Sequence, residues 1–448
     1  MLNFFKNKWF NLTNDAKFSE IFTGSKWALS AQVLSAGLGI ISSIIVARFY
    51  GADMLGVVAV LSSFLGIVKI FTVMGTATSI LRLIPEHIAK YSLLSAFFVY
   101  RKTQFLVIVV SVVTSTLLYF SADFVATNIF SKPHLSVYFA LGAGFVLFNS
   151  LMNLNTAAVR GLRMIRAFAL MRLMPNLSKV TILVLLTIFF FHQNNPVYAF
   201  LGSIAATAIV GLWIVLRAFQ KKRDAKTTVY RMSSGQILNL SLPMLMANTM
   251  FFLIGQTGVI LLGVFRPEAE VGYYSVAFRL AALAAFILQA INSIIGPKFS
   301  ALYHAGNIDE LFYVARKSTK LIFWTTTPIF LGLIIIGYPA IRLLYGEGFK
   351  AAYSPMIILI VGQFISSISG SVGYFLNMTG HHKMFRNIVA VAAIINFLVN
   401  LILIPLIGIN GAAVAAMVSL IFWNLTSLFY IKKLHGKHIG YIPILSKV

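Results

Sequence analysis

The sequence contains no cysteine. A chain without thiols cannot form disulfide bonds, thiolate metal sites or a cysteine nucleophile. Charged residues are also scarce: they make up 10% of the 448 residues, whereas soluble domains carry about 25%. No Walker A sequence is present, so we expect no ATP hydrolysis by this chain. The low charge content argues against a soluble protein.

Acidic residues are the scarcest charged group, with 11 Asp and Glu against 36 Lys and Arg and a net charge of +25. In a soluble protein this balance would suggest nucleic acid, but membrane proteins concentrate Lys and Arg in cytoplasmic loops, and we predict no nucleic-acid partner. All the acids fall in predicted tails or loops, so ion coupling through a buried carboxylate has no candidate. They are Asp15, Glu20, Asp53, Glu86, Asp123, Asp224, Glu268, Glu270, Asp309, Glu310 and Glu347.

Hydrophobic residues, in contrast, make up 59% of the chain, and the mean hydropathy is +0.88. Apolar runs of roughly 20 residues recur along the whole length, and each can cross a hydrocarbon core about 30 Å thick. We therefore predict an all-α integral membrane protein with about twelve transmembrane helices. The predicted spans are 27–47, 54–77, 104–122, 135–157, 173–191, 197–218, 238–264, 272–295, 321–341, 353–376, 388–405 and 411–431.

The distribution of Lys and Arg predicts the orientation. With both termini inside, 27 of the 36 fall in inward segments and five in outward loops, while Lys69, Lys179, Arg217 and Arg279 lie within predicted spans. Because Lys and Arg stay preferentially on the cytoplasmic side, this bias predicts an N-in, C-in chain with an even number of helices. Residues 1–25 are polar and aromatic, and we interpret them as an interfacial amphipathic segment rather than a signal peptide.

An internal repeat divides the chain into two halves. At an offset of 216 positions, Gly39 aligns with Gly255 and Gly56 with Gly272. The predicted domains are an N-terminal lobe over 1–231 and a C-terminal lobe over 232–448, with six helices each. Six crossings return the chain to its starting side, so the lobes are parallel repeats, an arrangement typical of alternating-access carriers with substrate at the repeat interface.

Two short motifs resemble those of polysaccharide and O-antigen flippases of the multidrug/oligosaccharidyl-lipid/polysaccharide exporter superfamily. They are ARFYGA at 47–52, followed by Gly56, and PLIGINGAA at 405–413. The resemblance implies two helical bundles around a cavity in a bacterial cytoplasmic membrane. It further implies that the chain moves an undecaprenyl-diphosphate-linked oligosaccharide from the cytoplasmic to the outer leaflet. The implied partners are this lipid-linked oligosaccharide, the bilayer and other glycan-assembly membrane proteins; no cofactor is implied.

Three cationic residues are candidates for binding the diphosphate: Arg279, Lys69 and Arg48. They fall on predicted helices eight, two and one, where the related lipid II flippases carry cavity cations. Ionisable groups inside spans are costly and often functional, and Arg and Lys suit a diphosphate. The alternatives are interhelical bonding or snorkelling for Arg279, snorkelling for Lys69 and an interfacial position for Arg48. Candidate polar residues of the cavity, which could equally pack helices together, are Gln32, Ser35, Ser43, Ser62, Thr72, Asn248 and Gln256.

Other functions remain open at this stage. A multidrug exporter of the same superfamily is the main alternative, although exporters of cationic drugs often use embedded acids that this sequence lacks. A membrane glycan polymerase or ligase is a further alternative, but it would need a larger outward loop for catalytic groups. We predict no catalytic residues and no metal site, because the histidines form no metal-binding pattern.

Overall fold

The computed structural model describes residues 16–221, 229–283, 285–441 and 443. Within these ranges it does not describe the side chains of residues 16–26, 28, 29, 221, 243, 246–248, 290, 293 and 294. Residues 1–15 of the predicted interfacial segment therefore lie outside the described residues. Residues 16–25 form the beginning of the first helix.

All regular secondary structure in the described ranges is helical, which confirms the all-α prediction. The α-helices are α1 (Ala16–Val73), α2 (Thr76–Lys90), α3 (Leu93–Phe124), α4 (Ser136–Gly144), α5 (Val146–Gly161), α6 (Ile165–Phe189), α7 (Asn195–Lys221), α8 (Ser234–Phe265), α9 (Glu268–Ala281), α10 (Ala285–His304), α11 (Ile308–Tyr345), α12 (Tyr353–Ser369), α13 (Val372–Met378), α14 (His382–Ile407) and α15 (Ile409–His435). A π-helical turn (Val125–Ile129) follows α3, and 3₁₀ turns (Pro133–Leu135 and Glu347–Ala352) precede α4 and α12.

The first two predicted spans are joined in α1, which is broken only at Gly51. Gly51 has φ 84° and ψ 178°, a conformation that glycine adopts readily because it has no Cβ. The apolar part of this helix, Ser30–Val73, is 44 residues long. At 1.5 Å per residue, the segments on either side of Gly51 are each long enough to cross a bilayer. The predicted loop 48–53 is therefore wrong: a one-residue break takes its place.

Hydropathy also missed the helix α2, which occupies part of the predicted inward loop between spans two and three. This helix is amphipathic: Ile80 and Ile84 are fully buried, whereas Arg82 and Lys90 are exposed. Too few of its residues are apolar for a span-length search to find it, although its helical period is clear. The following helix α3 begins at Leu93, eleven residues before the predicted start of the span at 104.

Three predicted spans are interrupted in the structure. The span 135–157 consists of α4 and α5, which are bent by 47°. The span 272–295 consists of α9 and α10. The span 353–376 ends its first helix at Ser369, because Gly370 has a φ of 73° and leaves the helical conformation. These breaks follow from local backbone geometry, which an average over 20 residues does not detect.

By length and composition, eight helices in the described ranges can cross a membrane, or nine if the bent pair of α4 and α5 is one span. Eight long apolar helices in the described ranges indicate a multi-pass membrane protein. The helix α1 counts once although it contains two predicted spans. Twelve helices and the N-in, C-in orientation therefore stay predictions.

The chain forms two compact units that interleave along the sequence. Unit 1 contains the described residues of Met1–Ser42, Val68–Leu117 and Ala143–Leu245. Unit 2 contains those of Ser43–Ile67, Leu118–Gly142 and Met246–Val448. The predicted lobes, 1–231 and 232–448, concern the repeat of helices and stay a prediction.

Each unit has an apolar core of its own. In unit 1 the core joins α2, α3, α5, α6, α7 and α8, with Tyr100 fully buried at its centre. The Tyr100 hydroxyl donates to Oδ1 of Asn155 at 2.7 Å, so the buried phenol is satisfied. In unit 2 a core that joins α10, α11, α13, α14 and α15 contains the buried rings of Phe299, Phe312 and Phe375.

Within unit 2, two glycines bring α1 and α9 into close backbone contact. A Cβ atom at Gly56 would lie 1.9 Å from the carbonyl oxygen of Glu268. A Cβ atom at Gly272 would lie 2.3 Å from the carbonyl oxygen of Ala52. The two contacts are reciprocal, because 52 and 56 correspond to 268 and 272 at the offset of 216 found in the sequence repeat. Only glycine at both positions permits this approach.

An ionic network surrounds the beginning of α9 in the same unit. Glu268 Oε1 lies 2.9 Å from His134 Nε2 and 3.3 Å from Lys132 Nζ. Lys132 also donates to the carbonyl oxygen of Arg266 at 2.6 Å, and Arg266 donates to the carbonyl oxygens of Ile404 and Pro405. The network therefore joins the predicted outward loops before the spans at 135 and 272 to the end of the predicted span 388–405.

We expect the Glu268→Gln variant to lose stability in a pH-dependent manner. Burial raises the pKa of Glu268, but the hydrogen bond to its own backbone amide, Lys132 and His134 outweigh burial and hold the pKa below its usual value. A carboxyl group whose pKa is lower in the folded than in the unfolded state stabilises the fold at pH values above its unfolded-state pKa. This stabilisation is lost as the pH falls through the folded-state pKa. Thermal unfolding in detergent should show a loss of about 1 kcal/mol at pH 7 that vanishes in acid. The exposed Glu310→Gln variant is the control, and an equal loss at pH 7 and pH 3 would contradict the assignment.

Candidate functional site

Arg279, one of the predicted cationic residues, lies in the last turn of α9 and is partly buried in unit 2. Tyr345, at the end of α11, lies near its guanidinium. The Tyr345 hydroxyl in turn forms a hydrogen bond with Oγ of Ser43 at 2.9 Å, and both side chains are almost fully buried. The structure thus brings two predicted residues, Arg279 and Ser43, together through Tyr345.

Sequence reasoning missed Tyr345. It stands at the boundary of a predicted outward loop, where an interfacial aromatic residue is common and gives no functional signal. Its position depends on the full length of α11, which continues four residues beyond the predicted end at 341. The longer helix carries the phenol to Ser43 on α1.

Arg48 lies beside this cluster but is exposed. Its Nε donates to the carbonyl oxygen of Leu344 at 2.9 Å, and its second terminal nitrogen donates to that of Leu343. The last carbonyls of a helix have no intrahelical partner, and a cation there is stabilising. This geometry favours the alternative in which Arg48 fastens α1 to the end of α11. A ligand role for Arg48 stays a prediction.

Lys69 is partly buried in unit 1, one turn before the end of α1. The hydroxyl of the neighbouring Thr72 donates to the carbonyl oxygen of Lys69 at 3.2 Å and hydrogen bonds with the Ser150 hydroxyl at 2.7 Å. Thr72 is fully buried, so it joins α1 to α5. The candidate Ser62 is exposed.

The polar stripe at the beginning of α1 contacts α6 within unit 1. Arg172 donates to Oε1 of Gln32 at 3.0 Å, and Ser35 donates to the carbonyl oxygen of Arg172 at 3.0 Å. Asn176 donates to both oxygens of Ser35 at 2.9 Å. These bonds favour the helix-packing interpretation of Gln32 and Ser35.

The two remaining polar candidates lie on α8. Oε1 of Gln256 accepts a hydrogen bond from Ser63 at 2.7 Å, which joins α8 to α1 inside unit 2. The side chain of Asn248 lies outside the described residues. The cavity roles of all seven polar candidates stay predictions.

Unit 1 also contains a cleft of about 290 Å³ that the sequence did not predict. It lies between α2, α5 and α6. Polar groups of Thr78, Asn153, Thr156 and Arg160 line it together with apolar side chains such as Met171. In the sequence, Arg160 was only one member of a basic inward segment. No pattern in the sequence indicated that Arg160 borders a cleft, because the cleft depends on how three helices pack.

Comparison with known proteins agrees with this architecture. The probable low-salt glycan biosynthesis flippase Agl15 of Haloferax volcanii is 22% identical over 394 residues, which cover 87% of this chain and 79% of Agl15. The fold is similar to that of the lipid II flippase MurJ in an inward closed conformation, with a TM-score of 0.74 and 16% identity over 90% of this chain and 86% of MurJ. It is also similar to an inward-facing MATE multidrug resistance transporter of the MOP superfamily, with a TM-score of 0.68 and 16% identity over 92% of this chain and 98% of the transporter.

A family model described as "Polysaccharide biosynthesis protein" matches residues 16–354, which is most of the chain. The resemblance seen in the two loop motifs is thereby confirmed. The relatives are named as flippases and transporters, which places this chain in the same broad class of membrane protein. The chain therefore belongs to the polysaccharide biosynthesis protein family.

Proposed function

We propose that this protein is a flippase for a polyprenyl-diphosphate-linked oligosaccharide, with undecaprenyl as the lipid in a bacterial host. The observation that carries the proposal is the placement of Arg279, partly buried beside Tyr345 and Ser43 in the helical unit 2. A guanidinium in such surroundings is suited to a phosphate, which it binds through two parallel hydrogen bonds. The cation gives the cavity a preference for anionic ligands.

The proposed architecture has twelve helices in two six-helix lobes, with both termini inside. Two observations support it: the bias of Lys and Arg toward the inward segments, and the reciprocal contact of Gly56 and Gly272, which has the symmetry of a parallel repeat. In this orientation the glycolipid moves from the inner to the outer leaflet by alternating access.

The energetics of the head group explain why a protein is required. A diphosphate and several sugars cannot cross hydrocarbon unaided, because each unsatisfied polar group costs several kcal/mol there. The membrane potential, negative inside, favours outward movement of an anion by about 2.3 kcal/mol per charge and 100 mV. Embedded acids are absent from the predicted spans, so we propose the potential as the source of coupling.

The host membrane and the glycan follow from the same chemistry. We propose the cytoplasmic membrane of the host, where lipid-linked glycans are assembled, and O-antigen-like repeat units as the cargo in a bacterium. The flippases Agl15 and AglR of Haloferax volcanii extend the family to archaea, whose cytoplasmic membranes meet the same physical requirement. Other glycan-assembly membrane proteins would supply and receive the glycolipid.

The proposal is tested by deleting the gene and analysing the lipid-linked glycans by mass spectrometry. We expect a complete diphosphate-linked repeat unit to accumulate on the cytoplasmic side, and the wild-type gene to reverse the accumulation. If the lipid intermediates and the surface glycan were unchanged while drug sensitivity rose, the multidrug-exporter alternative would replace the proposal. Accumulation of unpolymerised units on the outer side would instead support the polymerase or ligase alternative.

A further inference from the structure

We propose that Arg160, Phe168 and Arg172 form a binding site in unit 1 for the phosphate ester of a lipid. The inference deepens the proposed function and rests on it: the ligand would be the diphosphate of the glycolipid before translocation. These residues lie at the end of α5 and the beginning of α6, in a segment predicted to face inward. None of them belongs to the Arg279 cluster.

The two guanidinium groups share one aromatic ring. Cζ of Arg160 lies 5.6 Å from the ring centroid of Phe168, and Cζ of Arg172 lies 5.7 Å from the same centroid. The two Cζ atoms are therefore no more than about 11 Å apart. Cation–π contacts of this kind stabilise an Arg side chain in one orientation. The ring thus orients two guanidinium groups, each able to donate two parallel hydrogen bonds, within about 11 Å of each other.

Charge compensation for this pair must come from outside the described part of unit 1. Among its described side chains, the only carboxylate is that of Glu86, which pairs with Lys90 at 2.7 Å and Arg82 at 3.6 Å. Arg160 and Arg172 repel each other electrostatically, and Arg172 donates to the neutral amide of Gln32. Two cations held near each other repel, and an anion that binds between them would relieve this repulsion. A diphosphate carries the charge that compensates both.

The adjoining cleft supplies room for what is attached to the phosphate. Arg160 forms part of its wall, and the hydroxyl and amide groups of Thr78, Asn153 and Thr156 lie in the same wall. A volume of about 290 Å³ is at the lower limit of small-molecule pockets. The apolar side chains of Leu81, Met152 and Pro175 complete a lining of mixed polarity. Such a lining suits the first sugar of the glycolipid, which has polar edges and an apolar face.

The experiment measures binding of a short-chain polyprenyl diphosphate to the purified full-length protein in detergent. We expect Arg160→Ala and Arg172→Ala each to raise the dissociation constant at least tenfold, and Arg172→Lys to restore only part of the affinity, because Lys lacks the planar fork. The control is Arg217→Ala. Arg217 is exposed and does not line the cleft, and its Cζ atom lies 5.0 Å from the ring centroid of Trp213. Each variant is compared only after its thermal unfolding matches that of the wild type.

A competition experiment separates the two sources of a phosphate ester. Phosphatidylglycerol at the same concentration should displace little of the polyprenyl diphosphate. Equal displacement would overturn the glycolipid assignment and identify a general phospholipid site, and unchanged affinity in both alanine variants would overturn the site itself. If binding depends on Arg160 but the deletion strain has normal lipid-linked glycans, the proposed function is contradicted while the binding site is not. Absence of binding together with glycan accumulation would contradict this inference alone.

Discussion

Replacing Gly56 by alanine should prevent most of the protein from folding. The new Cβ atom would lie 1.9 Å from the carbonyl oxygen of Glu268, far inside van der Waals contact. The obstructing atom is backbone, so it cannot rotate away as a side chain would. Relief requires moving the beginning of α9, together with the ion pairs that Glu268 makes with Lys132 and His134. We expect a loss of more than about 3 kcal/mol, beyond the usual cost of overpacking.

The measurement is fluorescence-detected size-exclusion chromatography of the detergent-solubilised protein, followed by thermal unfolding. Gly272→Ala should have a comparable effect, since its Cβ atom would lie 2.3 Å from the carbonyl oxygen of Ala52. Gly37→Ala is the matched control: Gly37 is exposed in the same helix α1, and its Cβ atom would meet no atom within 4 Å. A monodisperse Gly56→Ala protein with the unfolding temperature of the wild type would show that α1 and α9 do not cross in this way.

Replacing Arg279 by alanine should abolish most of the transport while leaving the fold intact. The variant removes a charge that we propose to bind the diphosphate, and a hydrogen bond to a charged group contributes about 1.5–3 kcal/mol. Since 1.4 kcal/mol corresponds to a factor of ten, flipping of a fluorescent polyprenyl-diphosphate glycolipid in proteoliposomes should slow by roughly 10- to 100-fold. Arg279→Lys should retain an intermediate rate, because it keeps the charge but loses the bidentate geometry.

The control for this prediction is Arg386→Ala, which removes an exposed arginine of the same unit that donates to the amide oxygen of Asn387. Tyr345→Phe separates charge from positioning: it keeps the ring but removes the hydrogen bond to Ser43. We expect this variant to lose less activity than Arg279→Ala. A wild-type flipping rate in Arg279→Ala, with an unchanged rate in the control, would remove Arg279 from the proposed site.

Composition and periodicity predicted the parts of this fold that depend on many residues together. The helical class and the family resemblance follow from apolar runs and two loop motifs, and both are confirmed. The break at Gly51 and the interruption at Gly370 were not predictable, because each depends on one residue with a positive φ. The helix α2 was missed because half of its surface is polar, although its amphipathic period was present in the sequence.

The site residues show the same division. Charge scarcity drew attention to Arg279, and a polar stripe on the first predicted helix drew attention to Ser43. Their link through Tyr345 depends on where α11 ends. Arg160 and Arg172 were counted only as part of a basic segment. The spacing of Phe168 and Arg172, four residues apart on one helix, was a signal for their stacking. The contact of Arg160 with the same ring follows only from the turn between α5 and α6.

A contact whose two halves are equivalent in sequence can also be made by two copies of one shorter chain. The segment around Gly56 approaches the segment around Gly272 as the latter approaches the former, so the surface is complementary to itself. Two copies of a chain that carries one of these segments would therefore be able to pair through the same contact. The two halves of the contact differ in charge: Glu268 has ionic partners in Lys132 and His134, whereas Ala52, its counterpart at the offset of 216, carries only a methyl group.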